Sequence, residues 1–201
     1  AIAASNLDEF FMVRVGGLET LRSLEESRAD PAGMSPGKQL RMIRQRVEVM
    51  AEETERVLEE ELFPELARHK IQALPVERLK PGQVDHVADV FAESVLPLLT
   101  PVELRGGEVG IGMVPALCPC LLCEIGSSEE AGNAGLRRVL VPLPATLNRF
   151  IQLPNTSGYR FVLLEDVAKN FIGSLFPDEL VRSCGLFRLT RSSDTFLEED
   201  A

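Results

Sequence analysis

Positive charge is scarce in this sequence. Lys and Arg number 21 against 31 Asp and Glu, a formal net charge of −10 and a pI near 4.8. The deficit runs through both halves, with 12 basic against 18 acidic groups in residues 1–99 and 9 against 13 in residues 100–201. Holding DNA, RNA or another long polyanion requires Lys and Arg to neutralise phosphates, so this chain is not expected to hold one alone. Long apolar runs are missing too: none reaches the roughly 20 residues of a membrane span. The N-terminal stretch lacks the basic region of a secretory leader and runs almost at once into Asp8 and Glu9. Cysteine is sparse and clustered, with Cys118, Cys120 and Cys123 close together and Cys184 far off. That is not the dense framework of a small secreted domain, and a reducing cytosol is expected. His69 and His86 are the only histidines, and neither has a Ser, Cys or second His at catalytic spacing.

The remainder is ordinary globular material, 45% hydrophobic and 26% charged, with a mean hydropathy of +0.04. No internal repeat or low-complexity tract is visible. The chain begins Ala-Ile-Ala-Ala and ends on the acidic run Leu197 to Ala201, which reads as a piece of something longer. From Leu7 to about Glu26, apolar residues recur three and four apart, predicting a helix with Asn6 as its cap and Asp8 and Glu9 in its first turn. Asp30 to Gly33 reads as a loop. A second helix is expected from Ser35 as cap and Pro36 at the first helical position, carrying Leu40, Ile43, Val47, Met50, Val57 and Leu62 until Pro64 kinks or ends it. A third, about Leu79 to Leu98, places Val84, Val87, Val90, Phe91 and Val95 on one side and stops at Thr100-Pro101.

Beyond Pro101 the texture changes. Strands are predicted over 116–125, 136–142, 150–153, 159–164 and 186–190, interrupted by one helix over 164–176 that turns Val167, Phe171, Ile172 and Leu175 inward. The expected fold class is α+β: an antiparallel helical bundle over residues 1–100, incomplete at its start, then a mixed α/β domain over 101–201 with a largely antiparallel sheet.

Several motifs fall short of chemistry. Gly33 to Gln39 approaches a phosphate-binding loop but has one residue too few between its glycines and Gln39 where Ser or Thr would hold Mg²⁺; a capped helix start explains it. Gly106 to Gly112 has no following helix and reads as a turn. Cys118, Cys120 and Cys123 lack the second ligand pair of a zinc site. On a strand Cys118 and Cys120 share one face while Cys123 points away, so core cysteines are the favoured reading unless the fold brings Cys184 alongside. His69 and His86 read as surface residues. Asp8 and Glu9 are adjacent rather than one turn apart, and Asp166, Asp178 and Asp194 are isolated. No catalytic or metal-binding residue is assigned.

The string Ser5-Asn6-Leu7-Asp8-Glu9-Phe10-Phe11-Met12-Val13-Arg14-Val15 resembles the start of the N-terminal helical region of bacterial polyphosphate kinases of the histidine-phosphorylated type. Phe63-Pro64-Glu65-Leu66, Val95 to Pro101, Val141 to Pro144, Arg149 to Pro154, Phe161 to Val167 and Phe187 to Arg191 are similar to that family's later landmarks, in order. The resemblance implies the N-terminal helical domain, without its first segment, and the middle or head domain. It also implies a cytoplasmic homo-oligomer, peripheral to the membrane at most; the composition already argues against a transmembrane segment and a nucleic-acid partner. The implied activity is reversible transfer of the terminal phosphate of ATP to inorganic polyphosphate through a phosphohistidine, with ATP/ADP and Mg²⁺. The histidine, the Mg²⁺ site and the polyphosphate channel belong to C-terminal catalytic domains beyond this chain, so the chain alone is expected to be inactive. One residue carries over, Asn6, matching the family's ATP-contacting asparagine; an amide at a helix start can donate and accept at once, or simply cap. Between Pro101 and Ile125 the chain departs from the family pattern, with Glu103-Leu104-Arg105-Gly106-Gly107 and the cysteine run. The alternative function is a stand-alone binding or assembly module that kept this scaffold.

Overall fold

Apolar residues spaced three and four apart fold as helix over most of the first seventy positions. The computed structural model describes residues 2–24, 29–104, 114–126, 136–154 and 157–192. Helix α1 spans Ile2–Phe10, a π turn follows at Phe11–Val15, and α2 spans Gly16–Ser23. The helix therefore starts at Ile2 rather than Leu7, because alanine is the strongest helix former and Ala3 and Ala4 extend it. Asn6 consequently lies inside α1 and is not its cap, and Asp8 and Glu9 lie beyond the first turn. Gly16 does not break the rod. A Cβ there would meet Ser192 Oγ at 2.6 Å, so the bare backbone is what admits the returning chain.

Helix α3, Pro36–Val57, begins as its sequence prescribes, with Ser35 Oγ accepting from the Lys38 N–H at 3.4 Å and Pro36 in the first turn. The loop before it is held by Asp30 Oδ1, which accepts from the N–H groups of Ala32 (3.0 Å) and Met34 (2.8 Å). α2 packs on α3, and the Arg14 guanidinium donates to Gln39 Oε1 at 3.0 Å. A second π turn, Leu58–Leu62, leads into α4, Phe63–Arg68. The helical residues run without a break from Pro36 to Arg68, so Pro64 does not end the helix, and the wider π turn lies directly before it.

Two compact units divide the chain, one made of the residues up to Leu62 together with those from Thr190 onward, the other of Phe63–Leu189. In the second, Lys70 in the left-handed region (φ 61°) ends α4 and leads into β1, Ile71–Ala73. β1 pairs in parallel with β6, Tyr159–Leu163, and β6 pairs antiparallel with β5, Phe150–Gln152. The crossing needs Gly158 (φ 98°): Tyr159 N–H donates to Lys70 O at 2.8 Å, and a Cβ on Gly158 would lie 2.4 Å from that oxygen. The second sheet is antiparallel throughout, ordered β2 (Val102–Glu103), β4 (Arg137–Pro142), β3 (Pro119–Gly126) and β7 (Leu180–Arg188).

The third helical stretch comprises α5, Pro81–Val90, a π turn at Phe91–Val95 and a 3₁₀ turn at Leu96–Leu98. Its Val87, Phe91 and Val95 share one core with Leu121 and Ile125 of β3, Val139 and Val141 of β4, and Val162 of β6. Helix α6, Leu164–Phe171, adds Val167 and stacks Phe171 on Phe91 with ring centroids 5.7 Å apart. The fold is α+β as expected. The change of texture at residue 100 does not coincide with the division between the compact units, because the third helix shares its core with the strands that follow it. β7 is longer than the predicted 186–190, and the short β1 and β2 are additional. The expected turn at 106–112, Asp194 and the end of the first helix at 25–26 lie outside the described residues.

On the face of the second sheet away from that core, Arg138 donates to Glu124 Oε1 at 3.1 Å and Ser183 Oγ donates to Glu124 Oε2 at 3.0 Å, joining β4, β3 and β7. Arg138 first, and then Ser183, hold the Glu124 carboxyl below the usual glutamate value. A lowered folded-state value means stability that is present above the unfolded value near 4.3 and is lost as pH falls through the folded one. Glu124→Gln should therefore denature more easily than the parent at neutral pH, with the difference vanishing in acid. A difference that persists unchanged down to acid pH in denaturant titrations would contradict this.

Candidate functional site

Asn6 is exposed on α1, and among the described residues its side chain makes no hydrogen bond, so the amide is available to a ligand. The loop-like Gly33 to Gln39 stretch is occupied with starting α3, its Gln39 amide donating to Met34 O at 3.2 Å. His69 is exposed at the end of α4 with Nε2 3.5 Å from the Glu65 carboxylate. The four thiols do not converge. Cys120 packs with Leu140 on one face of β3 while Cys123 packs with the main core on the other, beside Cys184. Among the described residues no three His, Cys, Asp or Glu side chains form a group that could hold a metal ion.

His86 departs from the solvated-surface expectation. It is half-buried, and its Nε2–H donates to the carbonyl of Gln152 at 3.2 Å across the wall of a cleft of about 670 Å³. Ser94, Asn148, Arg149 and Tyr159 line the same cleft. Arg149 is placed by its own backbone, whose carbonyl accepts from the Leu164 N–H at 2.8 Å, and by Glu165, whose Oε1 accepts from Arg149 Nε at 2.9 Å. Glu165 is only 7% exposed. Its position in the first turn of α6 favours negative charge, and its carboxylate raises the Arg149 pKa, fixing the guanidinium as a cation.

A second cleft, about 630 Å³, carries three cations, Arg78, Lys80 and Arg160, together with Gln72 and Gln83. Arg160 lies opposite Gln72 in the β1–β6 register, Arg78 comes from the 3₁₀ turn Val76–Arg78, and Lys80 precedes α5. No carboxylate is among its described lining residues, so its field attracts anions. A charge count over whole halves of the chain conceals such a cluster, because Arg160 lies eighty positions beyond Lys80 in sequence and joins it only through the parallel pairing.

Removing Arg149 leaves the Glu165 carboxylate in an enclosed position without its partner. Arg149→Met is expected to destabilise by about 1–3 kcal/mol, with the lower end favoured because the Arg149 side chain is 62% exposed and water can partly replace it. Adding Glu165→Leu should recover much of the loss. Denaturant unfolding of the two singles and the double closes this cycle, and independent, additive effects would show that the pair is not coupled.

The model of the polyphosphate kinase N-terminal domain matches residues 1–74, and that of the polyphosphate kinase middle domain matches residues 82–201. The polyphosphate kinase of Halalkalibacterium halodurans is 34% identical over 202 aligned positions, which cover 100% of this chain and 28% of that protein. The polyphosphate kinase of Mycobacterium avium is 31% identical, again over 100% of this chain and 28% of its own length. The crystal structure of polyphosphate kinase from Porphyromonas gingivalis superimposes with a TM-score of 0.77 at 22% identity, covering 98% of this chain and 28% of that one, and so shares the fold. The chain thus spans about 28% of the length of the relatives it matches. With both models aligned in order along nearly its whole length, the chain belongs to the polyphosphate kinase family, corresponding to its N-terminal and middle domains.

Proposed function

We propose that this chain is the non-catalytic N-terminal and middle part of a cytoplasmic, homo-oligomeric polyphosphate kinase, which moves the terminal phosphate of ATP reversibly onto inorganic polyphosphate through a phosphohistidine. The observation that carries this reading is the consecutive match of the two domain models over residues 1–74 and 82–201. The histidines agree with the division of labour: His69 stands exposed beside Glu65, and the Nε2 of His86 is engaged by the Gln152 carbonyl. The described residues do not fit a Mg²⁺ site, since no carboxylate group of the required size is present, and no step is assigned to the metal in this chain. Polyphosphate and Mg²⁺ belong, in this reading, to residues that follow the middle domain.

Asn6 is the proposed contribution to ATP binding. Its amide is exposed and uncommitted on α1, which suits hydrogen bonding to a nucleotide base or ribose. In the complete enzyme, Asn6→Ala should raise the KM for ATP by about 2- to 10-fold, the equivalent of one neutral hydrogen bond, without lowering thermal stability, because no cap is lost and Ala is the better helix former. An unchanged KM removes Asn6 from the site. The chain by itself, incubated with ATP, Mg²⁺ and polyphosphate, should make no ADP above background; measurable synthesis would refute its non-catalytic role.

A further inference from the structure

Cys123 of β3 lies directly opposite Cys184 of β7 in the antiparallel register, and the two Sγ atoms are 3.5 Å apart, both as free thiols. The two sulfurs differ sharply in surroundings. Cys123 is fully buried between Leu121 and Ile125, whereas Cys184 is half-exposed on β7, which among the described residues pairs with β3 alone. The other two cysteines do not compete for either partner. Cys118 donates to Leu143 O at 3.2 Å and Cys120 to the Cys118 carbonyl at 3.4 Å, and Cys120 packs on the opposite side of the sheet. We propose that Cys123 and Cys184 form a reversible dithiol–disulfide modification site, whose co-reactant is a small disulfide oxidant. This inference does not rest on the kinase reading.

Cys184 is the entry point, being the less buried of the two residues. The Cys123 S–H donates to it and Lys169 of α6 adds a positive field, which together outweigh its burial and bring its thiol down to about 7. Cys123 is held above the ordinary thiol range by the same hydrogen bond and by burial, which suits the resolving partner rather than the attacker. In the first step the Cys184 thiolate attacks one sulfur of the oxidant R–S–S–R, forming a mixed disulfide and expelling RS⁻. In the second, the Cys123 sulfur attacks Cys184 Sγ, the mixed S–S bond breaks, and the departing RS⁻ takes the Cys123 proton. The first RS⁻ takes up the proton that Cys184 had released. Two protein thiols thus lose two electrons and two protons, and one disulfide becomes two molecules of RSH. Closing the gap to the roughly 2.05 Å of an S–S bond requires a small approach of the strands. β7 pairs on one side only among the described residues and lies beside the register shift at Glu124/Ile125, so few backbone hydrogen bonds oppose that approach.

The test is to equilibrate the native protein with glutathione disulfide and map its cysteines by mass spectrometry under non-reducing conditions. The expected product has lost two hydrogen masses, contains a Cys123–Cys184 cross-linked peptide, and reverts with dithiothreitol. Cys123→Ser should instead accumulate the glutathione adduct on Cys184, and Cys184→Ser should form neither adduct nor cross-link. The proposal is overturned if native protein keeps both thiols alkylatable in excess oxidant, if Cys184 joins a different cysteine, or if the cross-link appears only after unfolding. The mapping of the unsubstituted protein decides the matter even where a serine variant does not fold.

Discussion

Strand β3 is buried on both faces, and the second unit is organised around that constraint. Leu121, Cys123 and Ile125 are turned into the main core, while Cys120 on the other face packs with Val114 and Leu140. A strand with buried residues on both faces, and only Glu124 charged among its eight residues, cannot read as alternating polar and apolar, which is why its sequence, Pro-Cys-Leu-Leu-Cys-Glu-Ile-Gly, is almost continuously apolar. Cysteine serves there as a small hydrophobe that lets two layers approach. Its neighbours β4 and β7 satisfy its backbone on both sides, and the helical stretch from Pro81 to Leu98 supplies one of its covers.

That arrangement explains which elements were legible in the sequence. Helices α3, α5 and α6 announce themselves by apolar residues spaced three and four apart, and strands β3 to β6 by short β-branched or aromatic runs between Gly and Pro. β7 shows only its last residues by composition, since Arg182, Ser183 and Gly185 face solvent on an edge strand and leave no alternation to follow. β1 and β2 have three and two residues, too few for any period. The misplaced cap at Asn6 has another cause: cap chemistry was present, but the alanines ahead of it are good enough helix formers to carry the helix past it. Of the cleft residues, the landmark strings around Arg149 and Glu165 were visible, whereas the contact between those two exists only once β5 and β6 are paired, and the convergence of Arg78, Lys80 and Arg160 only once β1 and β6 are.

The acidic total and the local chemistry are therefore separate facts. A chain with a net charge of −10 presents one cleft bordered by three cations and another whose guanidinium is fixed by a buried carboxylate. Net charge governs long-range encounter, whereas the sign of a cleft is set by the few side chains within a Debye length of about 8–10 Å. The family assignment rests on neither; it rests on the ordered match of two domain models.

The close approach of Ser192 to Gly16 has a consequence for synthesis of the chain. One compact unit is assembled from residues up to Leu62 and from residues that follow β7, so the other unit is, in sequence, an insertion within it. The early helices leave the ribosome long before their last partner exists. Emerging at roughly 5–20 residues per second, the chain leaves them waiting on the order of ten seconds or more, by which time the inserted unit can already have folded. That interval, with the unit still incomplete, is the one in which the nascent protein is most vulnerable to association with other chains.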